Sequence, residues 1–232
     1  MLDVFFDKWW RVGGVAGILF LIMFIAGFVL QFVLGEAPAF DKPDEEIRDW
    51  FTDNGEQYLV GDYLVGLSFV LLFLPFLSSL RGLLASAEGG PAVWSRVAFA
   101  GGLLFLIFGA TASVFWGALA YGFGVRGDAD GGTIRTLMYL DVAAWNTVPL
   151  AFIPFALGSS LVILQTGVLW RWLALIGLVT AVFAAIGGLS YLDSDPEGTL
   201  VMIGGVSFPL AGLWILLTSV NMILKREAPA PI

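Results

Sequence analysis

Val12–Gly35 reads VGGVAGILFLIMFIAGFVLQFVLG, 24 residues without a charge. A helix rising 1.5 Å per residue needs about 20 apolar residues to cross a hydrocarbon core about 30 Å thick, so this stretch reads as a membrane-spanning helix. Five more charge-free runs follow: Tyr63–Leu80 (18 residues), Val97–Val125 (29), Val142–Trp170 (29), Trp172–Leu192 (21) and Gly198–Leu224 (27). No other charge-free run is longer than seven residues. The expected fold class is therefore all-α: a polytopic membrane protein, a bundle of six transmembrane helices in one integral membrane domain spanning 1–232. The spans predicted are about 12–34, 60–80, 97–120, 142–165, 171–191 and 200–224. The surplus length of the third and fourth runs implies tilt, or helix continuing beyond the membrane. Ala37-Pro38-Ala39 looks like a signal-peptidase site, but the apolar run before it is far longer than the apolar region of a signal peptide, and it is read as a retained span.

Composition supports this. Of the 232 residues 59% are hydrophobic and 13% charged, against about 25% charged in soluble domains; the mean hydropathy is +0.90. A net charge of -8 argues against nucleic acid as a partner, because phosphate contacts need a basic surface. Cysteine and histidine are both absent. Disulfides, thiolate or imidazole metal ligands, and Ser-His-Asp or Cys-His nucleophiles are thereby excluded, and no cofactor or metal is expected.

The 11 basic residues divide unevenly across the predicted spans. Lys8, Arg11, Arg81, Arg96, Arg171, Lys225 and Arg226 fall on the side of the termini, and Lys42, Arg48, Arg126 and Arg135 on the other. The positive-inside rule then places both termini in the cytoplasm. Fifteen of the 19 acids fall on the opposite, outer side.

The largest outer loop, Glu36 to Gly61, contains a second helical signal. Pro43 suits a first helical position, Asp44, Glu45 and Glu46 suit the positive end of a helix dipole, and Ile47, Trp50 and Phe51 recur at helical spacing. An amphipathic helix over about 43–53 is expected on the outer membrane surface, ended by a turn at Asn54-Gly55; a solvated acidic loop is the alternative. Odd-numbered spans open with an interfacial tryptophan and an arginine (Trp10-Arg11, Trp94-Ser95-Arg96, Trp170-Arg171), each arginine followed six residues later by Gly17, Gly102 or Gly177. Even-numbered spans carry prolines instead: Pro75, Pro149 with Pro154, and Pro209. This suggests three helical-hairpin repeats.

Asn54-Gly55, Tyr58-Leu59, Gly61-Asp62-Tyr63-Leu64 and Gly66-Leu67, followed by Leu80-Arg81, resemble the loop and second helix of a widespread bacterial family of six-helix membrane proteins, common in actinobacteria and of unknown function. Thr166-Gly167-Val168-Leu169-Trp170-Arg171-Trp172-Leu173 resembles the segment before that family's fifth helix, although relatives tend to have proline at the place of Trp170 and arginine at that of Gln165. The resemblance implies the six-helix fold and a place in a bacterial plasma membrane, and transfers no activity.

Ionisable residues inside hydrocarbon usually mark a pathway, and the predicted spans place Asp62 and Asp141 only at the outer ends of the second and fourth. They read either as first-turn acids complementing a helix dipole or as paired carboxylates at a cavity mouth. Asn146, between Trp145 and Thr147, must find partners for its amide, as interhelical glue or as a ligand contact. Gly13/Gly17, Gly109/Ser113/Gly117 and Thr180/Ala184/Gly188 mark close-packing faces, expected within the chain rather than between chains. Prolines in membrane helices recur where helices line cavities. These features together predict a mostly apolar, outward-open cavity between the second, fourth and sixth helices. Ser68, Asn146, Thr147 and Ser207 would stand on its wall, with Trp50 and Phe51 over its mouth. The first functional expectation is a non-enzymatic protein that binds or moves an apolar or amphipathic small molecule (lipid, isoprenoid or quinone-like) among membrane lipids. The second is a structural or accessory subunit in a homo- or hetero-oligomer; the third is an intramembrane enzyme using Asp62 and Asp141.

Overall fold

The computed structural model describes residues 8–33, 38, 42–127, 132–189 and 199–225. Every regular element among them is helical. Six helices are long and apolar enough to cross a membrane: α1 (Trp9–Val33), α2 (Asp44–Glu88), α3 (Val93–Arg126), α4 (Gly132–Thr166), α5 (Arg171–Gly188) and α6 (Met202–Leu224). The end of the predicted fifth span, beyond residue 189, and the Ala37-Pro38-Ala39 site lie outside the described residues or nearly so. Neighbouring helices pack in sequence, α1 on α2, α2 on α3, α3 on α4 and α4 on α5, and α6 returns to α1 and α5. The ends of the described chain meet at one end of the bundle, where Trp10 Nε1 and Arg11 Nη2 donate to the Lys225 carbonyl at 3.4 and 3.2 Å.

The core is a column of rings. Phe20 of α1, Phe69 and Phe73 of α2, Phe105 of α3, Phe152 and Phe155 of α4 and Trp214 of α6 form one chain of ring contacts, with centroids 5.1–6.0 Å apart. Trp214 is fully buried, and its Nε1 donates to the Leu173 carbonyl at 3.0 Å. Outside this column sit leucines, valines and isoleucines with large exposure, including Ile22, Ile25, Val70, Leu71 and Val182, the side chains that face lipid in a spanning bundle.

Three helices outrun the predicted spans, and α2 does so most. It begins at Asp44, directly after Pro43, with Asp44, Glu45 and Glu46 in its first turn as expected. It does not stop at Asn54-Gly55. The helix runs through both residues to Glu88, 45 residues in all, about 67 Å of helix against a hydrocarbon core of about 30 Å. Asn54 Nδ2 donates to the Trp50 carbonyl at 2.9 Å, inside the helix it was expected to end. Gly55 is there for a close contact rather than a turn: a Cβ on it would lie 2.7 Å from the Ala120 carbonyl and 2.8 Å from Gly124 Cα of α3. The expected separate surface helix is therefore the N-terminal part of α2, and its apolar face lies on protein. Ile47 and Phe51, both fully buried, join Leu119, Ala120 and Phe123 of α3 and Ile134 and Met138 of α4 in a second, smaller core. Arg135 of α4 clamps this end, with Nε donating to Asp44 Oδ1 at 2.7 Å and Nη2 to the Lys42 carbonyl.

The helix is disturbed near its prolines in two of the three proline-bearing helices. Pro75 cannot donate to the preceding turn, and α2 widens into π-helical turns over Ser68–Phe73 just before it. Pro209 follows a break at Val206, which separates Thr199–Gly205 from Ser207–Leu224. Pro149 and Pro154 sit inside an unbroken α4. The small-residue faces close within the chain. A Cβ on Gly13 of α1 would run into Ser79 of α2, one on Gly109 of α3 into Phe69 of α2, and one on Gly188 of α5 into Leu150 of α4. The equivalent glycines of the three hairpins each face an even-numbered helix: Gly17 meets Phe76 and Ser219, Gly102 meets Leu77, and Gly177 meets Ser160 and Trp214.

Candidate functional site

Two features stand out from the packed bundle: a layer holding the half-buried carboxyl group of Asp62 and the buried one of Asp141, and a groove in its lipid-facing side.

The carboxyl layer lies where the two cores meet. Along α2, Tyr58 packs on the smaller core and Val65 belongs to the larger, with Asp62 between them. Along α4, Met138 and Ala144 bracket Asp141 in the same way, and along α3 Trp116 and Ala112 bracket Ser113. Asp62 and Asp141 lie within electrostatic reach of each other and of the Tyr58 hydroxyl. Asp141 is 8% exposed. The Trp116 and Trp145 indoles lie beside its carboxyl group, but Asp141 Oδ1 and Trp116 Nε1 are both buried without a hydrogen-bond partner. Gly117 makes room for Asp62: a Cβ there would lie 2.6 Å from Asp62 Oδ2. Neither carboxyl group is paired with a lysine or arginine among the described residues.

This arrangement corrects one reading of the two aspartates. Asp62 stands 18 residues after the start of α2 and Asp141 nine after the start of α4, so neither is a first-turn acid at a helix dipole. Both helices begin further out than their charge-free runs suggest. Tyr58, one turn before Asp62, and Trp116 beside Gly117 belong to the same layer and were not singled out from the sequence; the spacing Tyr58/Asp62 was the available signal. Trp50, Phe51, Tyr58 and Trp116 form one aromatic group over it, with centroids 5.0–6.0 Å apart. Trp50 and Phe51 are thus part of a packed core and do not cover a cavity between α2, α4 and α6.

Nor is the cavity where it was expected. The centre between α2, α4 and α6 is filled by Phe73, Phe155 and Trp214 in edge-to-face contact. Ser68 is fully buried in α2 and its hydroxyl donates back to the Val65 carbonyl at 2.6 Å. Thr147 likewise donates to the Ala143 carbonyl at 2.8 Å. Asn146 is half-buried and makes no hydrogen bond among the described residues, so it is not glue between helices there. Ser207, by contrast, lines a void. A pocket of about 60 Å³ lies between α1, α4 and α6, walled by Phe20, Phe24, Pro149, Phe152, Ser207 and Phe208. It shares Leu21, Phe24, Phe208 and Gly212 with an apolar groove of about 560 Å³ between α1 and α6, whose outer rim is Ile18, Ile22, Ile25, Leu213 and Leu216. Trp145 of α4 makes ring contacts to Phe28 of α1 (5.8 Å) and to Phe208 of α6 (6.0 Å), and Phe208 is part of the groove wall. One side chain therefore touches both features, since Trp145 also lies beside Asp141.

The residues present hold no group of three or more metal-binding side chains among the described residues. Comparison with protein-family models, with curated proteins and with solved structures returns no match for this chain.

Proposed function

We propose that this is a multi-pass protein of a bacterial plasma membrane, with both termini cytoplasmic, that binds an amphipathic, lipid-like molecule without transforming it. The observation that carries the reading is the groove between α1 and α6. It has about 560 Å³ of space, within the 300–1,000 Å³ of ordinary ligand sites, whereas the 60 Å³ pocket behind it admits only a chain terminus or a methyl branch. The lining is apolar and includes Gly212, whose missing side chain deepens the groove. An acyl or isoprenoid chain entering sideways from the bilayer fits such a surface. A polar or cationic head at the outer end would then meet Trp145 and the uncompensated Asp141. The accessory-subunit reading loses support because the small-residue faces that motivated it are used inside the chain.

The test is photo-crosslinking of the intact protein in bilayers with a diazirine-bearing fatty acid, followed by peptide mapping. Labels should fall on α1 and α6, and Gly212→Phe should reduce them about tenfold, a loss corresponding to about 1.4 kcal/mol of binding. A Cβ at Gly212 meets only Leu21 Cδ2, at 3.8 Å, so the substitution fills the groove without touching backbone. Labels spread evenly over all six helices, unchanged by Gly212→Phe, would contradict the reading.

A further inference from the structure

At the end of the bundle where the described chain begins and stops, a further cavity has a different chemistry. It measures about 670 Å³ and lies between the α4–α5 turn (Gly167–Trp170), the start of α5 and the end of α6. Its lining is as polar as it is apolar, unlike the α1–α6 groove. Two cations border it. Lys225 reaches across from α6, its Nζ donating to the Val168 carbonyl at 3.0 Å. Arg171 folds back over the turn, where Gly167 has a φ of 65° and a Cβ would lie 3.6 Å from Arg171 Nε; its guanidinium has no acidic partner among the described residues. Burial lowers the proton affinity of Lys225 below that of a free lysine, a cost an anion would offset.

Neutral donors complete the basket. Asn221, 7% exposed, spends its Oδ1 on the Trp170 N–H at 3.1 Å, which leaves its Nδ2 hydrogens without a partner among the described residues. The cavity lies at the N-terminus of α5, an 18-residue helix whose first residue, Arg171, is part of the lining. Behind Lys225, Arg11 Nη2 donates to its carbonyl at 3.2 Å, so α1 braces the cation-bearing end of α6. The indoles of Trp170 and Trp172 stack beside the opening, 5.5 Å apart and 19° from parallel, both exposed. Exposed tryptophans of membrane helices settle at the headgroup level, which sets the depth of the cavity.

We infer that this cavity binds a phosphate anion, held by Arg171, Lys225 and the Asn221 amide, with the headgroup of an anionic phospholipid as its source. Basic pockets between membrane helices take lipid phosphates in this manner, and a guanidinium with an ammonium supplies the charge-assisted donors that phosphate oxygens accept.

Native mass spectrometry of the whole protein released from bilayers of equal phosphatidylglycerol and phosphatidylcholine tests this, with thermal midpoints recorded in parallel in neutral detergent with and without inorganic phosphate. Retained phosphatidylglycerol in preference to phosphatidylcholine is the expected result. The double variant Arg171→Gln/Lys225→Gln should cut that preference about tenfold, while Arg171→Lys/Lys225→Arg, which keeps both charges, should retain most of it. A midpoint raised by inorganic phosphate, lost in the glutamine variant and without lipid preference, would assign the same phosphate site to a soluble anion. Equal retention of the two lipids together with no response to phosphate, in a wild-type protein that unfolds cooperatively, would overturn the inference.

Discussion

Asp141 poses the sharpest question at the scale of single residues. A carboxyl group 8% exposed, with one oxygen unpartnered and another carboxyl group within electrostatic reach, is expensive in a fold with no cation beside it. Asparagine has nearly the same shape and keeps an acceptor for the neighbouring indoles. Asp141→Asn should therefore stabilise the fold by about 1 kcal/mol, or raise the thermal midpoint by about 2–4 °C in a chain of this size. Differential scanning fluorimetry in detergent checks it. A lowered midpoint would mean that the carboxyl group holds the outer ends of α2, α3 and α4 together and is not reserved for a ligand. Both aspartates were legible as the acids that immediately precede the second and fourth apolar runs. Their setting was not, because a charge-free run reports where charges stop and not where a helix starts: Ile47, Phe51, Ile134 and Met138 extend α2 and α4 outward on a protein-facing stripe that charged neighbours interrupt.

Among the elements, helix-to-helix distance is set by glycine. At Gly101 of α3 a Cβ would run into the backbone of Pro154 and Phe155 in α4, which have no flexible side-chain end to move aside. Gly101→Leu should lower stability by about 1–3 kcal/mol through overpacking, while Gly205→Ala, with nothing within 4 Å, should change the midpoint by little. Similar losses in both variants would show that the glycines are not spacers. The same contact physics explains where element reading from the sequence went astray. Asn-Gly is a turn signal when nothing packs on it, and Gly55 looked like one; the partner that makes it a helix-packing residue, Gly124, lies 69 positions away. The α1–α6 groove was illegible for a related reason. Ile22 and Leu213 facing a groove have the same apolar character as Val70 or Val182 facing lipid, and hydrocarbon gives them the same preference. The prolines suggested a cavity in the right helices for α4 and α6, but aromatic rings fill the side toward α2.

For the molecule as a whole, one rule organises the rest: hydrocarbon does not solvate a bare charge. It keeps the 30 charged residues of the sequence out of six long apolar runs, and in the fold it leaves the carboxyl layer where the two cores meet and the cation basket at the end where the described chain begins and stops. Every functional reading depends on α1 to α6 crossing the bilayer alternately. The absence of cysteine allows a clean test. Single substitutions Asp53→Cys and Thr133→Cys at one end, and Pro91→Cys and Gln165→Cys at the other, all at exposed positions, can be probed in intact cells with a membrane-impermeant maleimide. Residues 53 and 133 should label in intact cells, and residues 91 and 165 only after the membrane is opened. Labelling of residues 53 and 91 from the same side would contradict the six-crossing bundle and every site built on it.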